Sequence, residues 1–151
     1  MKISFNLNEN RAVVLECSTK QEALSLLIDK LSEAKEVGDP NELRLKVFER
    51  EQLMSTGIGM GIAVPHVRLA SVTNVVLALG ICRQPLHDYE TLDDVPVRIV
   101  CMIAANSEQH NEYIQTLATI SKLLKQESLR KALLEAKDSR EINQIFTNSL
   151  A

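Results

Sequence analysis

Two continuous apolar runs, residues 75–82 and 97–104, restrict the fold of this chain more than any other feature. Both are rich in β-branched residues and lack the polar alternation of a strand with one wet face. Such strands need cover on both faces, which places them at the centre of a sheet with helices on either side. The flanking sequence supplies the other pieces. Ala12, Val13, Val14 and Leu15 read as a short strand. A capping box, Ser18 with Gln21 or Thr19 with Glu22, precedes a helical stripe of Leu24, Leu27, Ile28 and Leu31, and this helix is expected to end near Gly38. Asp39, Pro40 and Glu42 provide an N-cap, a proline at the first helical position and an acidic first turn. They start a second helix through Leu43, Val47 and Phe48, with Arg50 at its end.

Towards the C-terminus, Ile114, Leu117, Ile120 or Ser121, and Leu124 fall at helical spacing within residues 112–125. Ser128 precedes a helix over residues 129–136, and Asp138 with Glu141 introduces another over 142–146. The expected fold is α/β: a three-layer α/β/α sandwich with a small mixed central sheet, residues 1–151 forming one domain. A chain of 151 residues with 45% hydrophobic content is large enough for such a core.

Composition narrows the function. A formal net charge of −3, 3% aromatic residues and no cluster of lysine and arginine argue against nucleic acid as a partner. Cys17, Cys82 and Cys101 are an odd set without C-x-x-C spacing and read as buried thiols in a reducing cytosol. No zinc site is expected, because cysteines and histidines do not pair at ligand spacing. Residues 1–6 lack the apolar core of a signal peptide, and no apolar run approaches the roughly 20 residues of a membrane span, so a cytoplasmic protein without membrane insertion is expected.

The chemistry concentrates in residues 50–66. Arg50, Ser55 and Thr56, three alternating glycines (Gly57, Gly59, Gly61) and His66 behind Pro65 together suit a phosphoryl group. Glycines permit positive φ and close approach, so successive amides can line an anion-binding concavity, while hydroxyls and a guanidinium supply further donors. His66 is the group here that is nucleophilic near neutral pH, and Pro65 stiffens its mounting. The spacing is neither a dinucleotide fingerprint nor a Walker A loop, so no nucleotide cofactor is expected.

Arg50-Glu51, Ser55-Thr56-Gly57-Ile58-Gly59 and Gly61-Ile62-Ala63-Val64-Pro65-His66 resemble the signature of the enzyme IIA domains of the bacterial phosphoenolpyruvate-dependent phosphotransferase system, fructose/mannitol type with its nitrogen-regulatory branch. The similarity continues through Pro85-Leu86, Pro96-Val97, His110, Leu123-Leu124 and residues 129–133. It implies the same three-layer fold and makes His66 the phosphoacceptor, charged by the phosphohistidine of HPr or a paralogue and discharged to a cysteine of an enzyme IIB. It also implies that Arg50 sits beside the phosphoryl group, that His110 hydrogen-bonds to it, and that Ser55 and Thr56 hold hydroxyl positions of the motif.

Three functions follow. The first is a phosphocarrier of sugar uptake, acting as a subunit separate from the permease. The second is a nitrogen-type regulator that binds target proteins according to the charge on His66. The third, a binding module without transfer activity, does not explain why a nucleophile and its charge partners coexist. The competing reading of His110 is an exposed residue in the first turn of a helix, and His87 reads as a solvated loop histidine in the polar run 85–90. Ile58, Met60, Val67 and Leu69 are available for docking a donor, unless they belong to the core.

Overall fold

The computed structural model describes residues 7–150; the expectation about residues 1–6 lies outside them. Its elements are β1 (Ala12–Leu15), α1 (Lys20–Leu31), α2 (Pro40–Leu53), β2 (Gly57–Gly59), β3 (Ile62–Ala63), β4 (His66–Leu69), β5 (Val76–Leu86), β6 (Val97–Asn106), α3 (His110–Leu124), α4 (Glu127–Glu135) and α5 (Ser139–Ser149). The sheet runs β1-β5-β6-β3-β2, with β4 also paired to β6. It is mixed: β5 and β6 are antiparallel, whereas β1 is parallel to β5, and β3 and β4 are parallel to β6.

Both apolar runs are central strands, and their alternate side chains feed two separate cores. Val76, Ala78 and Cys82 of β5, with Val100, Met102 and Ala104 of β6, pack against Leu24, Leu27, Ile28 and Leu31 of α1 and Leu43 and Val47 of α2. Leu77, Leu79 and Ile81, with Ile99, Cys101 and Ile103, pack against Ile120, Leu129, Leu133, Ile142 and Phe146 of the last three helices. The three-layer expectation therefore holds, and Cys17, Cys82 and Cys101 are buried free thiols.

Several boundaries differ from the sequence reading. Thr19, not Ser18, caps α1: its hydroxyl accepts from the Glu22 amide and donates to the Glu22 carboxylate. The helix stops at Leu31 rather than near Gly38, and the chain turns through residues 32–37 so that Val37 can bridge to Val72. On α3 the buried stripe is Tyr113, Thr116, Ile120 and Leu124, while Ile114 faces out. Helix α4 starts at Glu127, so Ser128 lies inside it rather than capping it. Strand β5 runs through Pro85 to Leu86 past an irregularity in its pairing with β6, which suits a proline that cannot donate to the ladder.

The glycine segment forms a tight hairpin. Met60 and Gly61, at φ 60° and 76°, supply the two left-handed residues that a two-residue type I′ turn requires. A Cβ on Gly57 would fall against the Glu90 carbonyl and 3.1 Å from Thr91 Cα. Gly57→Ala is therefore expected to cost about 1–3 kcal/mol, because backbone rather than a flexible side chain must move. The shift of the urea midpoint measures it.

Candidate functional site

Strand β3 pairs with β6 at Ile62 and Ala63, and β4 pairs with the same strand from His66 onward. Val64 and Pro65 lie between them. The Val64 amide turns to the Thr56 carbonyl, and the Pro65 carbonyl accepts from the Ile103 amide, so His66 starts β4 from a fixed backbone. Strand alternation then buries Val67 and Leu69 and turns His66 and Arg68 outward. Of the two readings open for Val67 and Leu69, docking patch or core, this register selects core, and both lie beneath the cleft rather than on its rim.

His66 Nδ1 lies 2.7 Å from the Val64 carbonyl oxygen. A carbonyl only accepts, so Nδ1 carries the proton and Nε2 holds the free lone pair. Arg50, in the last turn of α2, brings Nη2 to 3.3 Å from that Nε2. Burial, above all, holds the imidazole below its ordinary pKa of 6.5; the Arg50 charge adds to this, while the Val64 hydrogen bond and Glu51 partly oppose it. The ring is thus neutral and nucleophilic at neutral pH.

A cleft of about 530 Å³ opens over this pair, walled by Lys46, Arg50, Leu53, His66, Arg68, Tyr113, Ile114 and Leu117 among others. The Tyr113 ring lies 5.7 Å from that of His66, and the Arg68 guanidinium stands 5.1 Å over it. Among the described residues, neither Arg50 nor Arg68 is ion-paired with a carboxylate, whereas Glu49 on the cleft wall is held by Lys46 at 3.5 Å. Leu53 and Ile114, 78% and 49% exposed, form an apolar rim above the buried Val67 and Leu69.

His110 opens α3 as the sequence suggests. The turn before it is tied to β4 and β6: the Ser107 amide donates to the Leu69 carbonyl, and Gln109 accepts from the Asn106 amide. His110 meets Arg68, with 2.9 Å between Nδ1 and Nη1, and Arg68 rather than His110 stands in the cleft wall. The sequence reading missed Arg68, although its place two residues after His66 in a strand dictates a shared face. His87 is exposed, beyond the end of β5.

The remaining motif residues are not at the cleft. The Gly59 amide donates to Thr91 Oγ1 at 3.0 Å, the Met60 amide to Asp93 Oδ2 at 2.8 Å, and the Gly57 amide to Ser55 Oγ at 3.3 Å. Gly61 faces Pro96, and its carbonyl accepts from the Arg98 and Ile99 amides. The hairpin therefore uses its glycines to pack on residues 90–96. The Gly57, Gly59 and Met60 amides are occupied and the Asp93 carboxylate stands beside Gly59, so these groups build a packed turn rather than the expected anion-binding loop. Ser55 Oγ donates to the Glu90 carbonyl, and the Thr56 hydroxyl is buried against Glu51 and Tyr89.

Glu51 and Tyr89 are the second omission. Glu51, buried next to Arg50, accepts from the Thr56 amide (3.2 Å), the Thr56 hydroxyl and the Tyr89 hydroxyl (2.7 Å), and pairs with Lys20 at 3.3 Å. One carboxylate thus joins α1, α2, the hairpin and the turn after β5. Tyr89 falls in the run 85–90 that reads as solvated, yet it is buried, and burial raises its pKa.

A family model described as "Phosphoenolpyruvate-dependent sugar phosphotransferase system, EIIA 2" matches residues 6–149. The chain is 37% identical over 147 residues to the fructose-specific EIIABC component of Bacillus subtilis, covering 97% of this chain and 23% of that protein, so it spans about a quarter of that relative. It is 27% identical to the nitrogen regulatory protein of Escherichia coli over 89% of this chain and 82% of the other. The fold matches the complex of enzyme IIA and phosphorylated enzyme IIB for mannitol from E. coli with a TM-score of 0.77, at 23% identity, over 96% and 99% of the two chains.

Two measurements check the site. Glu51→Ala leaves three buried donors and Lys20 without their acceptor and is expected to lower stability by about 2–4 kcal/mol in urea unfolding. His66 should titrate below 6.5 in an NMR pH series. Arg50→Ala removes a charge that opposes the imidazolium and should move that titration upward. Because the native value is depressed, His66 contributes stability above the unfolded pKa, and this is lost as pH falls through the folded one.

Proposed function

This chain belongs to the EIIA 2 family of the phosphoenolpyruvate-dependent sugar phosphotransferase system, and on that premise we propose that His66 is its phosphoacceptor. It receives a phosphoryl group from the phosphohistidine of HPr or a paralogue and passes it to a cysteine of an enzyme IIB during sugar uptake. The observation that carries this reading is the tautomer of His66: Nδ1–H is committed to the Val64 carbonyl, so the Nε2 lone pair is the one presented beside Arg50.

The Nε2 lone pair forms the new N–P bond as the donor's N–P bond breaks and its electron pair returns to the donor nitrogen. The proton on Nδ1 stays where it is, and the Val64 carbonyl stabilises the positive charge that the ring acquires. Phosphoryl transfer asks little covalent chemistry of a protein beyond positioning and charge, which a stiff histidine and Arg50 supply. His110 serves as a further donor near the group. His110 is exposed in the first turn of α3, as its competing reading has it, and the 2.9 Å contact with Arg68 is what ties it to the cleft wall. Leu53 and Ile114 give donor and acceptor an apolar rim to dock on. The mannitol IIA of E. coli found with phosphorylated IIB supports an enzyme IIB as acceptor, and the buried free thiols agree with action in the cytoplasm. Among the described residues no helix is long and apolar enough to cross a membrane.

A second reading keeps the same chemistry and makes it a signal. The match over most of the length of a nitrogen regulatory protein favours it, while the higher identity to a fructose-specific component favours transport.

Intact mass after incubation with enzyme I, HPr and phosphoenolpyruvate should show one added phosphate in the native chain and none in His66→Ala. Phosphate retained by that variant would remove His66 from its role. Arg50→Ala should slow transfer on the order of 100-fold, the scale for losing one positioned donor. Leu53→Asp should raise the KM for phospho-HPr with little change in kcat. Onward transfer to an enzyme IIB favours the transport reading, and its absence alongside phosphate-dependent capture of another protein favours the regulatory one.

A further inference from the structure

We propose that Arg68 is a second guanidinium for the phosphoryl group on His66 and the residue that sets His110 to donate from Nε2. The inference rests on the reading of His66 as phosphoacceptor and adds to it a side chain outside the motif. Four observations converge on it. Alternation along β4 places Arg68 on the outward face that carries His66. Its guanidinium lies over Tyr113, the ring that also meets His66, so the three side chains share one wall of the cleft. Among the described residues no carboxylate pairs with it; Arg83, Arg98 and Arg130 also lack one but donate to backbone carbonyls, whereas Arg68 meets the His110 and Tyr113 rings. A guanidinium kept uncompensated beside a nucleophile suits an anionic ligand that is present for part of the cycle.

The fourth observation concerns His110. Arginine has donors and no acceptor, so the 2.9 Å contact between Nη1 and His110 Nδ1 requires a lone pair on Nδ1. The neutral ring then carries its proton on Nε2. One arginine thus supplies charge at the cleft and makes its neighbour a donor. The Ser55 and Thr56 hydroxyls and the Gly57, Gly59 and Met60 amides are engaged elsewhere, which leaves Arg50 and Arg68 on the cleft wall, with His110 joined to it through Arg68.

The test compares native protein with Arg68→Gln and Arg68→Lys in two experiments. In the unphosphorylated protein, ¹⁵N NMR of the imidazoles should show His110 as the Nε2–H tautomer in the native chain and a tautomer mixture in Arg68→Gln; lysine, which also only donates, should restore the single form. In the transfer assay with enzyme I, HPr and phosphoenolpyruvate, Arg68→Gln should lower the rate of His66 phosphorylation by roughly 10–100-fold at unchanged melting temperature, with Arg68→Lys in between. ³¹P NMR should show the phosphoryl group on His66 titrating at higher pH in Arg68→Gln, since a lost cation no longer favours the dianion. A structural role alone would not move that titration. If native protein is phosphorylated on His66 and Arg68→Gln matches it in rate and in ³¹P titration, the inference is overturned while the carrier reading stands. If native protein takes no phosphate on His66 from a competent donor, the carrier reading fails, and the phosphate role of Arg68 with it.

Discussion

The site depends on how one edge of β6 is shared. Strand β3 occupies it at Ile99 and Val100, and β4 occupies it from Ile103 to Asn106, both parallel to β6. Between them Pro65 has no amide to give to the ladder, and Val64 spends its own on the Thr56 carbonyl. That break frees the Val64 carbonyl to accept from the side chain of His66 two residues on. A continuous strand would have engaged it in pairing. The same register sets the alternation along β4, so His66 and Arg68 face the cleft because Val67 and Leu69 must fill the core. The tautomer of the nucleophile and the identity of its neighbours both follow from sheet pairing.

A second constraint holds the other half of the cleft. Arg50 sits at the end of α2, where helices fray, yet the next residue is tied down by a buried carboxylate with partners on three other segments. Glu51 is one covalent step from Arg50, so its network fixes the last turn of α2 relative to the hairpin that leads to His66. A buried carboxylate is costly unless its lone pairs are satisfied, and here backbone, hydroxyl, phenol and ammonium donors all meet it. Rigidity at an exposed arginine is thereby obtained from a group that never reaches the cleft.

How much of this was legible in the sequence depended on range. The central strands, the caps at Asp39 and Asp138 and the place of Arg50 at the end of α2 rest on local patterns and were legible; the meeting of Arg50 with His66 came from the family resemblance. Ser55 to Gly61 were misread because the groups that occupy their amides and hydroxyls, Glu90, Thr91 and Asp93, lie more than 30 residues away. An anion-binding loop and a packed hairpin look alike until the opposing segment is known. Tyr89 was misplaced for a related reason, since the polar neighbours that mark its run as solvated say nothing of the carboxylate that receives its hydroxyl. On α3 the expected stripe keeps Ile120 and Leu124 but has Ile114 and Leu117 where Tyr113 and Thr116 are buried, because a tyrosine and a threonine read as less apolar than the aliphatic residues beside them. Arg68 was within reach of period-two reasoning and was missed for want of a strand assignment at residues 66–69.

On the proposal that His66 is the phosphoacceptor, the electrostatics of the cleft suit a transport role and a regulatory one alike. Arg50 and Arg68 are uncompensated when His66 is bare, and a phosphoryl group brings close to two negative charges into their midst. Phosphorylation therefore brings the cleft from about +2 to near neutrality, while its apolar rim at Leu53 and Ile114 is unchanged. A partner that needs only the rim would bind both forms. One that also presents charge to the cleft must distinguish them, and whether that partner is the next carrier in a chain or a regulated protein is decided by its own surface. With His66 as the proposed phosphoacceptor, the site supplies the same switch in either case, and the difference between the two roles lies in the surface of the partner and not in the chemistry of the nucleophile.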